Sequence, residues 1–436
     1  MSTETDYLII GAGAMGVAFA DEIFSRNDKL TITLVDRREA FGGHWVDAYE
    51  YVKLHQPAAF YGVNSLELGN GGTNLSSKEE ILSYYQKVYE KFQASGRVTF
   101  YPAHEYLGNN QIAPLDEPEN ISEIKIRRKL VDATYMKVEV PATHAPKFMV
   151  DEGVPLVPLN DLIEEYKKWE RFCVVGNGKT GMDAILFLLE KGIDPDKISW
   201  VAPNDSWLFN RSHTYIRLVT KELLTHADFM VNASKPDDVF LEMEKRGGIL
   251  RLDKDVLPTK WRCATVSESE LHQLQRIKHI IRLGRISRIT KAEIQLEKGN
   301  LPYAEGTLFV NCTADGLAKR TPKPIFSGKE ITLQAVIFCQ QVFSAAIIAR
   351  LELASLSDRQ RNKVTPVPHP EVKDDWPTVY FASIRNLLWL NRYLPLWMRR
   401  SRLFFMSYET PIKYLSYSLK AVRLFLPLRH AAKRMS

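Results

Sequence analysis

Cysteine is scarce in this chain of 436 residues, and the four that occur, Cys173, Cys263, Cys312 and Cys339, lie nowhere within four positions of one another. That spacing excludes a CxxC redox pair and the paired ligand spacing of a zinc site, and it fits thiols kept reduced inside a cell. Long hydrophobic runs are lacking too: no stretch of about 18 consecutive apolar residues occurs, so no segment reads as a bilayer-spanning helix. Met1 to Asp6 is polar and acidic and leads directly into an apolar strand, which leaves no room for a targeting leader and gives a cytoplasmic expectation. Acidic residues almost vanish near the C-terminus. From Arg385 to Ser436 eleven Lys or Arg face one acid, Glu409, a local charge of +10, so the rest of the chain carries −4 of the net +6. Apolar residues at 45% and charged residues at 25% are ordinary globular usage. At about 150 residues per domain, the length suffices for two or three domains.

What is present is organised around Leu8 to Asp36. An apolar run, Leu8-Ile9-Ile10, enters Gly11-Ala12-Gly13-Ala14-Met15-Gly16, then a helical segment, a second apolar run and Asp36. Gly11 permits the sharp turn off the strand, Gly13 the approach of backbone N–H groups to a pyrophosphate, and Gly16 close helix–sheet packing. The helix N-terminus offers unpaired N–H donors to an anion. Asp36 stands where an acid accepts the ribose hydroxyls of an adenosine. The order of strand, glycines, helix, strand and acid predicts a βαβ unit for a dinucleotide.

The segment after Asp36 contains Gly42-Gly43-His44-Trp45, a second close approach of backbone to ligand that suits an extended FAD. The polar and aromatic loop Val52 to Ser65 suits the face of a flavin ring, with His55 and Gln56 as candidates to act there. Lys78 to Ser95 has helical spacing, and Ile124 to Ile126 and Val138 to Val140 alternate as strands do, which predicts a β-meander inserted into the first unit.

A second unit begins at Phe172-Cys173-Val174-Val175 and continues Gly176-Asn177-Gly178-Lys179-Thr180-Gly181 into a helical segment. Gly178-Lys179-Thr180 resembles the end of a phosphate loop for ATP, but Cys173 occupies the position of that motif's first glycine, so the triphosphatase reading fails. The strand Ile198 to Ala202 ends without a carboxylate, and Arg211 follows. A missing acid and a nearby arginine favour the 2′-phosphate of NADPH over NADH, with Asp205 as the opposing feature. Residues 212 to 300 carry no readable chemistry. The apolar run Thr307 to Cys312, followed by Asp315-Gly316, is expected to return the chain to the first domain, with Asp315 beside the flavin. Ile331 to Leu353 reads as one apolar helix. In the basic tail, cations interleave with large apolar and aromatic residues. Two readings stay open for it, a helix lying on an anionic membrane or helices closing the first domain; the abundance of aliphatics argues against nucleic acid.

Two dinucleotide motifs about 165 residues apart, the first extended by the GG pair, resemble the two-dinucleotide-binding-domain flavoproteins, a group that includes flavin-dependent monooxygenases and pyridine-nucleotide-disulfide reductases. The wording of Gly176 to Ala184 and of Leu54 to Ser65 is most similar to FAD/NAD(P)-dependent oxidoreductases related to the flavin monooxygenases. Two family marks are absent: the redox cysteine pair of the reductases, and the FxGxxxH signature, since Phe148 to Val154 has no glycine two places after the Phe and no His. The resemblance implies an α/β fold of two Rossmann-like three-layer domains. The expected parts are residues 1–165 (FAD), 166–305 (NAD(P)H, inserted), 306–384 (FAD, return) and 385–436 (helical tail). It implies FAD on Gly11, Gly13, Gly16, Asp36, Gly42, Gly43, His44, Trp45 and Gln56. It implies NADPH on Gly176, Gly178, Lys179, Thr180, Gly181 and Arg211, with no metal. The leading activity is an NADPH-dependent monooxygenase using O2 on a small organic substrate. A flavin dehydrogenase or reductase with an organic acceptor and a non-catalytic dinucleotide sensor are the alternatives.

Overall fold

The computed structural model describes residues 3–140, 143–314, 316–317 and 320–435. Its first sheet is built on β1 (Thr3–Ile10), whose Tyr7, Leu8 and Ile9 are fully buried. β2 (Ile32–Val35) pairs parallel to β1 with Tyr7 opposite Ile32, and β3 (Val98–Tyr101) adds parallel to β2. α1 (Ala14–Arg26) crosses between β1 and β2 and packs on a second helix, Gln341–Glu352. α2 is the single turn His44–Asp47, and α3 (Lys78–Ala94) starts at a capping box of Ser77 and Glu80. Its buried Ile81, Tyr84, Tyr85, Val88 and Phe92 recur three or four positions apart, the period of one helix face.

The sheet's other face is covered by a meander of other strands than expected: Ile124–Ile126 runs parallel to β1, and Val138–Glu139 pairs with Gly316–Leu317. β4 (His104–Gly108) and β5 (Gln111–Pro114) form an antiparallel hairpin, and β5 pairs antiparallel with the start of β6 (Ser122–Asp132), which then runs parallel to β1. Leu8, Val35, Ile112 and Ile124 meet beneath the hairpin. Helices, parallel sheet and hairpin are the three layers.

The second unit repeats this plan. Five parallel strands run in the order His279–Ile281, Ile198–Val201, Arg171–Val175, Thr307–Asn311 and Leu156–Pro158. Helix Lys179–Glu190 packs on this sheet through Ile185 and Leu188, and an antiparallel sheet covers the opposite face through Ile286, Ile289, Ile294 and Leu296. Two passes of chain join the units, Val138–Glu139 and Gly316–Leu317, paired antiparallel.

Two further expectations are corrected. Thr307–Asn311 does not return to the first sheet; it pairs along Arg171–Val175, with Cys173 opposite Phe309. A fully apolar strand is buried on both faces and carries no mark of which sheet it joins. The return is made by Glu330–Thr332, parallel to β6 with Thr332 opposite Asp132. Ile331 to Leu353 is therefore not one helix: it opens as that strand, and the helix begins at Gln341, because a continuous apolar run does not distinguish a buried strand from a buried helix.

The basic tail is built into the body rather than appended. Helix Trp376–Tyr393 buries Trp376, Tyr380, Leu387 and Leu390, and Trp397 donates from Nε1 to Glu22 of α1 at 2.6 Å. Arg402 donates to three backbone carbonyls of one loop, Val63 at 2.7 Å, Ala59 at 2.9 Å and Tyr61 at 2.5 Å. The last helix, Pro411–Met435, buries Leu428, Ala431, Ala432 and Met435. Among the described residues no helix is long and apolar enough to cross a membrane.

Candidate functional site

Both glycine turns leave the C-terminal ends of central parallel strands. Gly11 N donates to Val35 O at 2.8 Å, and Gly176 N to Val201 O at 3.0 Å. The helices that follow start at Gly13 and Gly178, neither of which has a side chain to cap the first turn, and neither first turn holds an acid. Their leading N–H groups thus remain available to an anion. A Cβ on Gly16 would stand 1.9 Å from the carbonyl oxygen of Gly11, and one on Gly181 would stand 1.9 Å from that of Gly176. Only glycine lets each helix seat this close to its turn.

The two turns face one cleft of about 1540 Å³, lined by Gly11, Gly13, Asp36, Gly43, His44, Trp45, His55 and Gln56 from one unit and Gly176, Gly178, Lys179 and Thr180 from the other. Gly43, at φ 59°, lies against Gly13 so closely that a Cβ would come within 2.8 Å of its Cα, so the GG turn closes over the first cradle. Gly42 is turned away beneath it, its N–H on Ala12 O at 3.1 Å. Asp36 is at the end of β2 as expected. One of its oxygens accepts from Ala12 N at 2.7 Å and the other from Arg38 N at 2.9 Å, which aims the carboxylate at the turn.

Trp45 Nε1 donates to Tyr61 Oη at 2.7 Å, fixing the floor between the GG turn and the aromatic loop. The backbone carbonyl of His55 accepts from Thr265 N and Oγ1, and Gln56 Oε1 accepts from Gln340 Nε2 at 3.4 Å. The His55 ring opens to the cleft, with protein on its other sides. The side chain is exposed on that side, and the protein behind it, with Lys179 and His369, draws its pKa down to about 4. His44 is likewise held down to about 4 by enclosure, Arg38 and His55. Lys179 pairs with Asp183, which also accepts from Tyr49 Oη at 2.5 Å.

The second strand end departs from the expectation at one residue. Arg211 is outside the cleft lining; its Nη2 is 2.5 Å from Glu270, and its Nε donates to Thr265 Oγ1 at 3.3 Å. Asp205, the opposing acid, is also outside the lining and is held by Arg282 at 2.8 Å. Val201, Pro203 and Asn204 line the cleft, as do the cations Lys260 and Arg285, the latter on the loop after His279–Ile281. Its signal is topological, since that strand is the hydrogen-bonded neighbour of Ile198–Val201. Asp315 lies outside the described residues. Three further residues of the cleft wall, Cys263, Cys339 and His369, had no signal in local spacing. Among the described residues, no group of three or more His, Cys, Asp or Glu is arranged to hold a metal ion.

No family model matches the chain. Uncharacterized proteins of Mycobacterium tuberculosis and Mycobacterium bovis are 40% identical to it over 406 residues, spanning 89% of this chain and 75% of theirs. The chain belongs to the family of these mycobacterial proteins. Among solved structures, the polycyclic ketone monooxygenase of Thermothelomyces thermophila superposes over 99% of this chain and 88% of its own, with a TM-score of 0.54 at 11% identity. OTEMO in complex with FAD and NADP covers 81% and 85% with a TM-score of 0.51 at 14% identity. The open form of cyclohexanone monooxygenase covers 80% and 86% with a TM-score of 0.50 at 11% identity. At such identities the likeness is one of fold. The family has the two-dinucleotide-domain architecture of the flavin-dependent monooxygenases.

Proposed function

We propose that the protein is an FAD-dependent oxidoreductase reduced by NADPH, acting as a monooxygenase on a small organic substrate. The observation that carries this reading is the pair of uncapped glycine turns on opposite walls of one cleft. Gly11, Gly13 and Gly43 would receive the pyrophosphate of FAD and Asp36 its ribose, with the aromatic floor of Trp45 and Tyr61 behind the loop carrying His55 and Gln56. Gly176, Gly178 and Thr180 would receive the pyrophosphate of NADPH, and Arg285 takes the place expected of Arg211 at the 2′-phosphate. Bound there, FAD would supply the redox chemistry, with NADPH as hydride donor and O2 as oxidant. The chain's own part is to hold both cofactors, keep a neutral His55 beside them and exclude water. Oxygen uptake matched to NADPH oxidation, with one oxygen atom found in the product, tests the reading. NADPH oxidation that proceeds without oxygen when an organic acceptor is supplied would assign a reductase instead.

The same proposal includes a peripheral contact of the last helix with an anionic lipid surface. Ile412, Leu415, Leu419, Val422 and Leu426 repeat at three- and four-residue steps along Pro411–Met435, and all are at least half exposed. Lys420 pairs with Asp228, and Arg434 donates to the carbonyls of Val231 and Ala233. Lys413, Arg423, Arg429 and Lys433 have no ion pair among the described residues, and the helix contains no acid. A second copy of this face would bring like charges together, whereas anionic headgroups complement them. Flotation with phosphatidylserine vesicles but not with phosphatidylcholine vesicles, lost in Leu419→Glu, is the expected result. Equal recovery with both vesicle types refutes the contact.

A further inference from the structure

The cleft contains a second cluster of reactive groups that the flavin reading does not use. Cys263 stands on strand Lys260–Val266 of the second unit, Cys339 in the turn before helix Gln341–Glu352 of the first, and His369 in the segment Pro366 to Pro370. All three line the cleft. Cys263 Sγ is 3.6 Å from His369 Nε2, and the neighbouring Cys263 side chain holds the Cys339 thiol below the usual thiol range. All four cysteines of the chain are thiols. The other two are buried, and burial pushes Cys173 up to about 12 and raises Cys312 as well.

The surroundings pin this cluster. Val367 N donates to Ala335 O at 2.7 Å, and Val372 bridges to Lys260, so the segment carrying His369 is tied both to the strand of Cys263 and to the chain leading into Cys339. Phe338, immediately before Cys339, has φ 45°, a left-handed conformation that a bulky residue adopts only where its neighbourhood enforces it. A thiol just ahead of a helix N-terminus, beside a second thiol and an imidazole, is the environment in which a thiolate forms and attacks.

We propose that Cys339, Cys263 and His369 form a thiol–disulfide exchange centre whose substrate is a small-molecule disulfide. The Cys339 thiolate attacks one sulfur of that substrate, its S–S bond breaks, and one small thiolate leaves with the electron pair. His369 Nε2 then takes the proton of Cys263, whose thiolate attacks Cys339 Sγ and expels the second small thiolate. Protonation of the two leaving thiolates, one of them by His369, completes the exchange. Two protein thiols have become a Cys263–Cys339 disulfide, and the substrate disulfide has gained two electrons and two protons. The reverse exchange with a small thiol reopens the pair. The proposal does not depend on the flavin, since exchange needs only these three side chains, and it survives if the reading of a monooxygenase fails.

Incubating the full-length protein with oxidised glutathione, then denaturing it in N-ethylmaleimide and weighing it, tests the exchange directly. The expected product carries two maleimide groups rather than four, retains no glutathione, and yields one peptide pair joined through Cys263 and Cys339 that separates on reduction. Cys263→Ser is expected to stop at glutathione held on Cys339, and Cys339→Ser to leave Cys263 unlinked. His369→Gln should form the mixed disulfide at the unchanged rate but close the pair about 10²-fold more slowly, the size of a lost general base. Four maleimide groups on the treated wild-type protein, or glutathione retained on it, overturns the proposal without recourse to any variant.

Discussion

Gly181→Ala separates the two halves of the cleft in a single substitution. Its methyl would stand 1.9 Å from the carbonyl oxygen of Gly176, where ordinary contact begins near 3.4 Å. Turn and helix must part by about 1.5 Å, a strain that overpacked sites express as about 1–3 kcal/mol of lost stability. A reacting group misplaced by about 1 Å costs on the order of 10² in rate. The variant is therefore expected to fold, to retain a full complement of flavin in the first cradle, and to be reduced by NADPH about 10²-fold more slowly in a stopped-flow anaerobic experiment. Dithionite, which needs no cradle, should reduce it at the wild-type rate. Gly16→Ala is the mirror case: its methyl meets Gly11 at the same 1.9 Å, and the flavin is lost instead. Gly178→Ala is the control for strain. Nothing lies within 4 Å of its Cβ, so stability should stay within about 0.5 kcal/mol while binding of NADPH weakens. A folded Gly181→Ala protein reduced at the wild-type rate would show that the second turn does not position the reductant.

Arg285→Gln is expected to lower the preference for NADPH over NADH by about tenfold or more, read as the ratio of kcat/KM values, while Arg211→Gln should leave that ratio unchanged and lower only the melting temperature. Arg402→Ala removes a guanidinium from the carbonyls of Ala59, Tyr61 and Val63 and should cost about 2–3 kcal/mol in urea unfolding, the range of one charge-assisted hydrogen-bonding group. The pKa of His55 is depressed to about 4, so lowering the pH from 8 towards 5.5 leaves its ring neutral and protonation begins only as the pH approaches 4. Flavin reduction rates should therefore show no ionisation near pH 6.5 that disappears in His55→Gln, and such an ionisation would place the ring in a more solvated setting.

How much of this was legible in the sequence follows from the range over which each signal acts. The glycines, Asp36 and the second turn are set by contacts within a few tens of residues, and their order alone specified strand, turn and helix. Features that depend on which strands become neighbours were not legible. Arg285 comes to line the cleft on the loop after His279–Ile281, which pairs beside Ile198–Val201, whereas Arg211, closer in sequence, is drawn to Glu270. Thr307–Asn311 is apolar on both faces and reads the same in either sheet. Cysteine spacing shows no local redox pair, yet Cys263 and Cys339 both line the cleft, a placement that depends on the chain's return through Glu330–Thr332. The tail's cations suggested a surface, and the structure divides them: Arg402 and Arg434 hold backbone carbonyls of the body, while Arg423 and Arg429 flank the exposed stripe.

Whether two cofactors occupy two cradles of one cleft is answered most directly by an anaerobic titration of the purified protein with NADPH, followed in the visible absorbance. Yellow protein bleached by about one equivalent of NADPH per flavin is the expected observation. Protein that is folded and colourless after incubation with FAD, or yellow and unchanged by excess NADPH, would be incompatible with electron transfer between cofactors seated at Gly11 to Gly16 and Gly176 to Gly181.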